Sequence, residues 1–142
     1  MAKVFIFNGP NLNRLGVREP EIYGTLTLEE IQQACIHFGA RNNFEIDFRQ
    51  TNSESELVEW LQEAADTDSP VILNPAAFTH YSVAVRDAAA LVKSTLIEVH
   101  ISNPLKREEF RHTSLISGIA KGTVTGFGVN SYLLALQALI SL

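Results

Sequence analysis

Four side chains in this sequence are placed to move protons. Arg18 and Tyr23 stand five apart in a polar run, and Glu98 and His100 stand two apart in an apolar one. A phenol is a base only when ionised, and its ordinary pKa of about 10 must fall by about three units, roughly 4 kcal/mol, for that to hold near neutrality. A close guanidinium supplies about one to three of those units, by analogy with paired carboxylates. Arg18 beside Tyr23 therefore brings a tyrosinate within reach; the plainer alternative is a surface tyrosine packing a turn. On a strand, residues two apart face the same side, so Glu98 can orient the His100 imidazole and hold its proton. Here the plainer alternative is a solvated polar pair at a strand end. His80, between Thr79 and Tyr81 ahead of a helix, reads by itself first as a loop histidine or helix cap.

The tyrosine belongs to Asn8-Gly-Pro-Asn-Leu-Asn-Arg-Leu-Gly-Val-Arg-Glu-Pro-Glu-Ile-Tyr-Gly24, a run with neither helix nor strand period. Irregular loops of that length inside a domain are usually functional or disordered. We read Asn8–Asn13 as a fixed part at a strand end and about 14–24 as a lid. The loop follows the apolar run Val4–Phe7 and precedes Thr27-Leu-Glu-Glu30, a capping box that opens a helix to about Arg41. Alternating Phe44–Gln50 is a second strand, and Ser53–Glu56 a second capping box opening a helix. Val71–Leu73 is a third strand. Ser82 to about Val92 is a helix with Val83, Ala84, Ala88 and Leu91 as its buried stripe. Thr95–Ile101 and Thr123–Thr125 are the fourth and fifth strands, and Tyr132–Leu142 is a closing helix. Strands alternating with helices over short connections predict one doubly wound α/β domain, a five-stranded parallel sheet between two helical layers.

In such sheets ligands bind at the carboxyl ends of the strands. Strand one leads into Asn8, Asn11, Asn13, Arg14, Arg18 and Tyr23. Strand three leads into Asn74, Thr79 and His80, and strand four into His100, Ser102, Asn103, Arg107 and Arg111. Gln50-Thr51-Asn52, after strand two, has no evident task. Only Lys106 lies near these ends, so a Schiff-base lysine is not expected. No glycine-rich nucleotide motif is present. His80 and His100 have few carboxylate neighbours and no H-x-x-x-H pairing, so no metal site is expected. The net charge of −5 disfavours nucleic acid. Apolar content of 46% and charged content of 19% read as soluble and globular. The single cysteine, Cys35, rules out an internal disulfide and suits the cytoplasm. There is no signal-peptide pattern and no run long enough to span a bilayer. The closing helix is apolar nearly all round, which suits either a subunit contact or burial under neighbouring loops.

The loop signature, together with Asn74-Pro-Ala-Ala-Phe-Thr-His80, Ser82-Val-Ala-Val-Arg-Asp87, Glu98-Val-His-Ile-Ser-Asn103, Arg107-Glu-Glu-Phe-Arg-His112 and Gly126-Phe-Gly…Tyr132…Leu134-Ala-Leu136, resembles the type II 3-dehydroquinate dehydratases. The likeness covers essentially the whole chain in one register; Ser131 departs from it, where the pattern has Gly. The resemblance implies a flavodoxin-like fold and a hydro-lyase that converts 3-dehydroquinate to 3-dehydroshikimate by anti elimination through an enolate. The reaction would belong to the shikimate pathway or to quinate breakdown, without metal or organic cofactor. By that resemblance Tyr23 is the base, Arg18 lowers its pKa, and Asn11 lies near the enolate oxygen. His100 protonates the departing hydroxyl and Glu98 orients it. Asn74, His80, Ile101, Ser102 and Arg111 match substrate-binding positions, Ile101 and Ser102 through backbone N–H. Arg111 serves either the substrate carboxylate or a ring hydroxyl. Asp87 matches a position reached across a subunit boundary, in a dodecamer built as four trimers. Enolate chemistry needs this division into base, oxyanion partner and acid. A non-enzymatic binding module, or a lyase for another hydroxy-keto acid, would share the fold but leave Arg18, Tyr23 and the Glu98/His100 pair without that task.

Overall fold

Five strands run parallel: β1 (Ala2–Asn8), β2 (Phe44–Gln50), β3 (Val71–Asn74), β4 (Leu96–His100) and β5 (Gly122–Thr125), in the spatial order β2-β1-β3-β4-β5. This computed structural model describes every residue except Met1, Arg18 and Gly24, and for Tyr23 the backbone only. The order is the flavodoxin-like one, and the chain reverses direction across the sheet between β1 and β3, where a crevice opens at the carboxyl ends. The apolar runs take the interior: β3 and β4 are buried throughout, and so is β1 from Val4 onward. The alternating β2 and the Gly/Thr-containing β5 take the edges, as strands with one wetter face should.

Among the described residues five α-helices accompany the sheet: α1 (Pro20–Tyr23), α2 (Leu28–Arg41), α3 (Glu54–Asp66), α4 (Val83–Ala89) and α5 (Val129–Ser141). The period-two alternation of the strands divides the core. Val4, Ile6, Ile72, Ile97 and Val99 meet Ile31 and Cys35 of α2 and Tyr132, Ala135 and Leu136 of α5. Phe5, Phe7, Val71, Leu73 and Leu96 meet Leu57, Leu61 and Ala64 of α3 and Val85, Ala88 and Ala89 of α4. Glu98 and His100 extend the second set, so both side chains face the α3/α4 side of the sheet.

Several local expectations need correction. The run after β1 is not wholly irregular. It holds a 3-10 turn at Leu12–Arg14 and the short α1, whose first residue, Pro20, has its φ preset for a helix start. Leu12 and Leu15 are buried in the α2/α5 core, so the anchored part reaches Leu15. Thr27 and Glu30 form the expected reciprocal box on α2. On α3 only half the box forms: the Ser53 hydroxyl accepts from Glu56 N–H, while the Ser53 N–H donates to Thr51 Oγ1 at 2.9 Å.

The α4 stripe is turned relative to expectation. Val85, Ala88 and Ala89 face the core, whereas Val83 and Leu91 are 61% and 51% exposed and Ala84 is exposed as well. Both stripes have helical spacing, and Ser82, capping Val85 N–H at 3.0 Å, opens α4 in the setting that buries Val85. The helix also ends earlier than expected, while α5 starts three residues before Tyr132, behind Gly128 at φ 61°. Ser131 is fully buried, and its hydroxyl accepts from Phe127 N–H at 3.1 Å, so it pins the β5–α5 turn.

Helix α2 lies against the sheet edge through Gly39, where a Cβ would stand 2.6 Å from Ile46 Cγ1 and 2.9 Å from the Phe44 carbonyl oxygen. Alanine favours a helix interior by about 1 kcal/mol over glycine, but overpacking a tight contact costs about 1–3 kcal/mol. Gly39→Ala should therefore lower the thermal unfolding midpoint by several degrees; a midpoint at or above the parent's would show that β2 yields freely.

Candidate active site

The site is built around a carboxylate that has almost no access to water. Glu98 is 1% exposed, and its Oε2 lies 2.6 Å from His100 Nε2. Ser114 donates its hydroxyl to the same carboxylate at 3.0 Å, and Ser117 donates to Oε1. Burial pushes the Glu98 carboxyl up, but the hydrogen bonds from His100, Ser117 and Ser114 outweigh it and hold the group below its ordinary value. An ionised carboxylate only accepts hydrogen bonds, so His100 Nε2 carries the proton of that contact and Nδ1 is the nitrogen left for the pocket that His100 lines. The segment after Arg111 thus caps the carboxylate. Ser114 Oγ also accepts from Ile116 N–H and Ser117 N–H, and Ile116 is fully buried.

The pocket lies at the ends of β1, β3 and β4. Asn11, Asn74, His80, His100, Ile101, Ser102 and Arg111 all line it, so the structure brings together seven of the expected site residues. Glu98 lies just behind, on the wall of an adjoining cavity of about 250 Å³ that shares His80, His100 and Arg111 with the pocket. His80 ends a 3-10 turn, Ala76–His80, and its Nδ1 is 2.8 Å from the Thr113 carbonyl, which makes Nδ1 the donor and leaves Nε2 as an acceptor. Burial, with help from the nearby His100 and Arg111, holds the His80 pKa below its ordinary value, so His80 is neutral at pH 7. Arg111 donates Nε–H to Glu108 at 2.9 Å and lies over the Phe110 ring.

Asn74 is 3% exposed and shares its amide with the core. Its Nδ2 donates to Tyr132 Oη at 2.8 Å, Tyr132 donates to Asn8 Oδ1 at 2.6 Å, and Asn8 Nδ2 donates to the Arg49 carbonyl at 3.0 Å. Asn8, read as one of the ligand-facing residues after strand one, instead closes this buried chain. Asn74 Oδ1 accepts from Ala76 N–H at 3.2 Å, so the second Nδ2 proton remains for the pocket.

Asp87 is not brought to the pocket. It lies on the exposed side of α4 in an ion pair with Arg86, four residues from exposed Val83. Arg18 and the Tyr23 side chain lie outside the described residues. Arg107, placed after strand four by the sequence but given no role there, is a pocket residue. Its side chain is 12% exposed, lines the pocket, and stands 3.6 Å from Glu19 and 3.4 Å from Ser102 Oγ. It thereby links the segment that carries α1 to the loop after β4. The run Arg107-Glu-Glu-Phe-Arg-His112 carries two arginines, and the fold turns both toward the pocket.

A family model described as dehydroquinase class II matches residues 2–140. The 3-dehydroquinate dehydratase of Salinispora tropica is 52% identical over 137 residues, 96% of each chain. That of Brucella canis is 50% identical over 139 residues, 98% of this chain and 88% of the other. Among solved structures, the type II dehydroquinase from Propionibacterium acnes superposes with a TM-score of 0.97 at 44% identity, covering 99% of this chain and 97% of that one. The type II dehydroquinase from Butyrivibrio crossotus gives 0.94 at 40%, covering 97% of both.

The Glu98 carboxyl sits below its ordinary 4.5 in the folded protein. Its contribution to stability is therefore complete above that pH and is lost as pH falls through the lower folded value. Denaturant unfolding of the parent and Glu98→Gln between about pH 6 and pH 3 should show the parent's advantage shrinking as the solution is acidified. A constant advantage would mean that Glu98 is not ionised in the fold.

Proposed function

The chain belongs to the class II dehydroquinase family and is a hydro-lyase, a 3-dehydroquinate dehydratase, and we propose that it removes water from 3-dehydroquinate by anti elimination through an enolate, in the shikimate pathway or in quinate breakdown. The observation that carries this course is the buried Glu98–His100 pair opening onto the pocket. Glu98 holds the His100 ring through Nε2, which leaves Nδ1 to deliver a proton to the departing hydroxyl.

On the opposite face of the ring, Tyr23 as tyrosinate takes the proton next to the ketone, with Arg18 lowering its pKa. Carbon–hydrogen cleavage leaves the electron pair on the ketone oxygen as an enolate, stabilised beside Asn11. The enolate then re-forms the carbonyl and expels the hydroxyl as water with the His100 proton. The Ile101 and Ser102 N–H groups at the end of β4 receive the substrate carboxylate, Asn74 and His80 bind substrate from the same pocket, and Arg111 serves either the carboxylate or a ring hydroxyl. A lid would comprise 16–24, since Leu15 is anchored in the core, and the Glu19–Arg107 pair would hold it down. The course uses no metal and no organic cofactor.

We place the reaction in the cytoplasm and in a dodecamer of four trimers. Support for an assembly comes from the apolar side chains left outside: Val83 on α4, Leu91 just beyond it, and Leu134 and Ile140 on α5. Asp87, on the same face of α4 as Val83, would reach a neighbour's pocket. Among the described residues no helix is long and apolar enough to cross a membrane. Cys35 is buried with its thiol pushed up to about 12, which suits an inert core residue rather than a redox centre.

Mixing the protein with 3-dehydroquinate should produce the ultraviolet absorbance of a conjugated enone, and no signal from folded, assembled protein would reject the reaction. Tyr23→Phe should lower kcat by at least about a thousandfold while substrate still binds, because it removes the base and leaves the ring; near-parental turnover would reject Tyr23. Activity should survive both a chelator and borohydride added with substrate, and loss with either would reveal a metal or a Schiff base.

A further inference from the structure

The carboxyl end of β2 carries Gln50, Thr51 and Asn52, three polar residues that no step above uses. All three hold the turn that follows β1. Thr51 N–H donates to the Asn8 carbonyl at 2.9 Å. Gln50 Nε2 donates to the Gly9 carbonyl and to Asn52 Oδ1, each at 3.1 Å. Asn52 Oδ1 also accepts from the Asn11 N–H at 2.9 Å. The backbone groups decide both carboxamide orientations, since a carbonyl must face an N–H and a backbone N–H must face an oxygen.

The residue held in this way has an uncommon backbone. Asn11 sits at φ 69°, ψ −3°, in the left-handed region that side chains other than glycine seldom occupy. Its carbonyl accepts from Arg14 N–H at 3.0 Å and so opens the 3-10 turn. On the other flank the turn cannot slide toward β3. Gly9 N–H is tied to the Asn74 carbonyl at 2.8 Å, and a Cβ on Gly9 would stand 2.5 Å from the Pro75 carbonyl oxygen. The direction of the Asn11 side chain into the pocket therefore rests on the one side that can move, its N–H contact with Asn52.

We infer that Asn52, itself oriented by Gln50, is a positioning residue that fixes the left-handed backbone of Asn11 and so aims the Asn11 carboxamide at the enolate oxygen. The inference rests on the role given to Asn11 above. Because the oxyanion partner acts in the transition state, misaiming it should act on kcat rather than on binding.

The test compares Asn52→Leu, which keeps the branched outline and removes the acceptor, with Asn52→Asp, which keeps an acceptor oxygen. Asn52→Leu should lower kcat for 3-dehydroquinate roughly tenfold to a hundredfold with KM within about twofold. Asn52→Asp should keep kcat within about threefold of the parent. Amide hydrogen exchange in a peptide spanning residues 9–13 should accelerate in Asn52→Leu and stay parental in Asn52→Asp. Parental kcat in Asn52→Leu, an equal fall in both variants, or a fall explained by loss of folded protein would overturn the inference. A parent that leaves 3-dehydroquinate unchanged would reject the assigned reaction instead, and the exchange comparison would still decide whether Asn52 holds the Asn11 turn.

Discussion

A carboxylate buried at the end of a central strand is the constraint to which the rest of the site answers. An ionised group out of water is tolerated only when its oxygens are hydrogen-bonded and its charge has a partner. Glu98 meets that demand with His100 on its own strand and with Ser114 and Ser117 from the segment that follows Arg111. The requirement explains why a stretch with no regular secondary structure is nonetheless well anchored: its serines serve the carboxylate and its Ile116 enters the core. It also selects which histidine nitrogen faces the pocket, and hence which proton is available there.

The other side of the crevice rests on a second buried chain, Asn74 to Tyr132 to Asn8, which joins β3, α5 and β1 across the point where strand order reverses. Burial pushes the Tyr132 phenol well above the ordinary tyrosine range. It is therefore a neutral link and not a base, the opposite of what the proposed elimination asks of Tyr23. One chain thus needs two tyrosines in contrasting electrostatic settings. The completely buried one orients an amide, while the proposed base, Tyr23, belongs to the segment that Arg107 ties to the pocket through Glu19.

The sheet was legible because its signals are local. Apolar runs of four to seven residues, a capping box at Thr27 and turn residues after each strand all act within a few positions. The Glu98/His100 pair was legible for the same reason, since i and i+2 on a strand share a side whatever surrounds them. What escaped depends on contacts between distant residues. The face of α4 could not be chosen, because Val83/Leu91 and Val85/Ala88/Ala89 fit helical spacing equally well. Asn8 was read as a pocket residue because nothing in its neighbourhood announces Tyr132, 124 positions away. The use of Gln50 and Asn52 follows from the β1–β2 register, which sets Asn8 beside Gln50 and makes bonds between residues 41 apart. The second capping box formed by half because Thr51 competed for the Ser53 N–H.

The central claim is that acid and base work on opposite faces of the substrate ring, with His100 held by Glu98 on the sheet side and Tyr23 delivered from the loop after β1. The most direct measurement is the stereochemistry of hydrogen loss, using 3-dehydroquinate carrying deuterium in one known configuration at the carbon next to the ketone. Mass spectrometry of the product should show removal of the hydrogen that lies anti to the departing hydroxyl, with its syn partner retained. Loss of the syn hydrogen would place acid and base on one face and contradict the account.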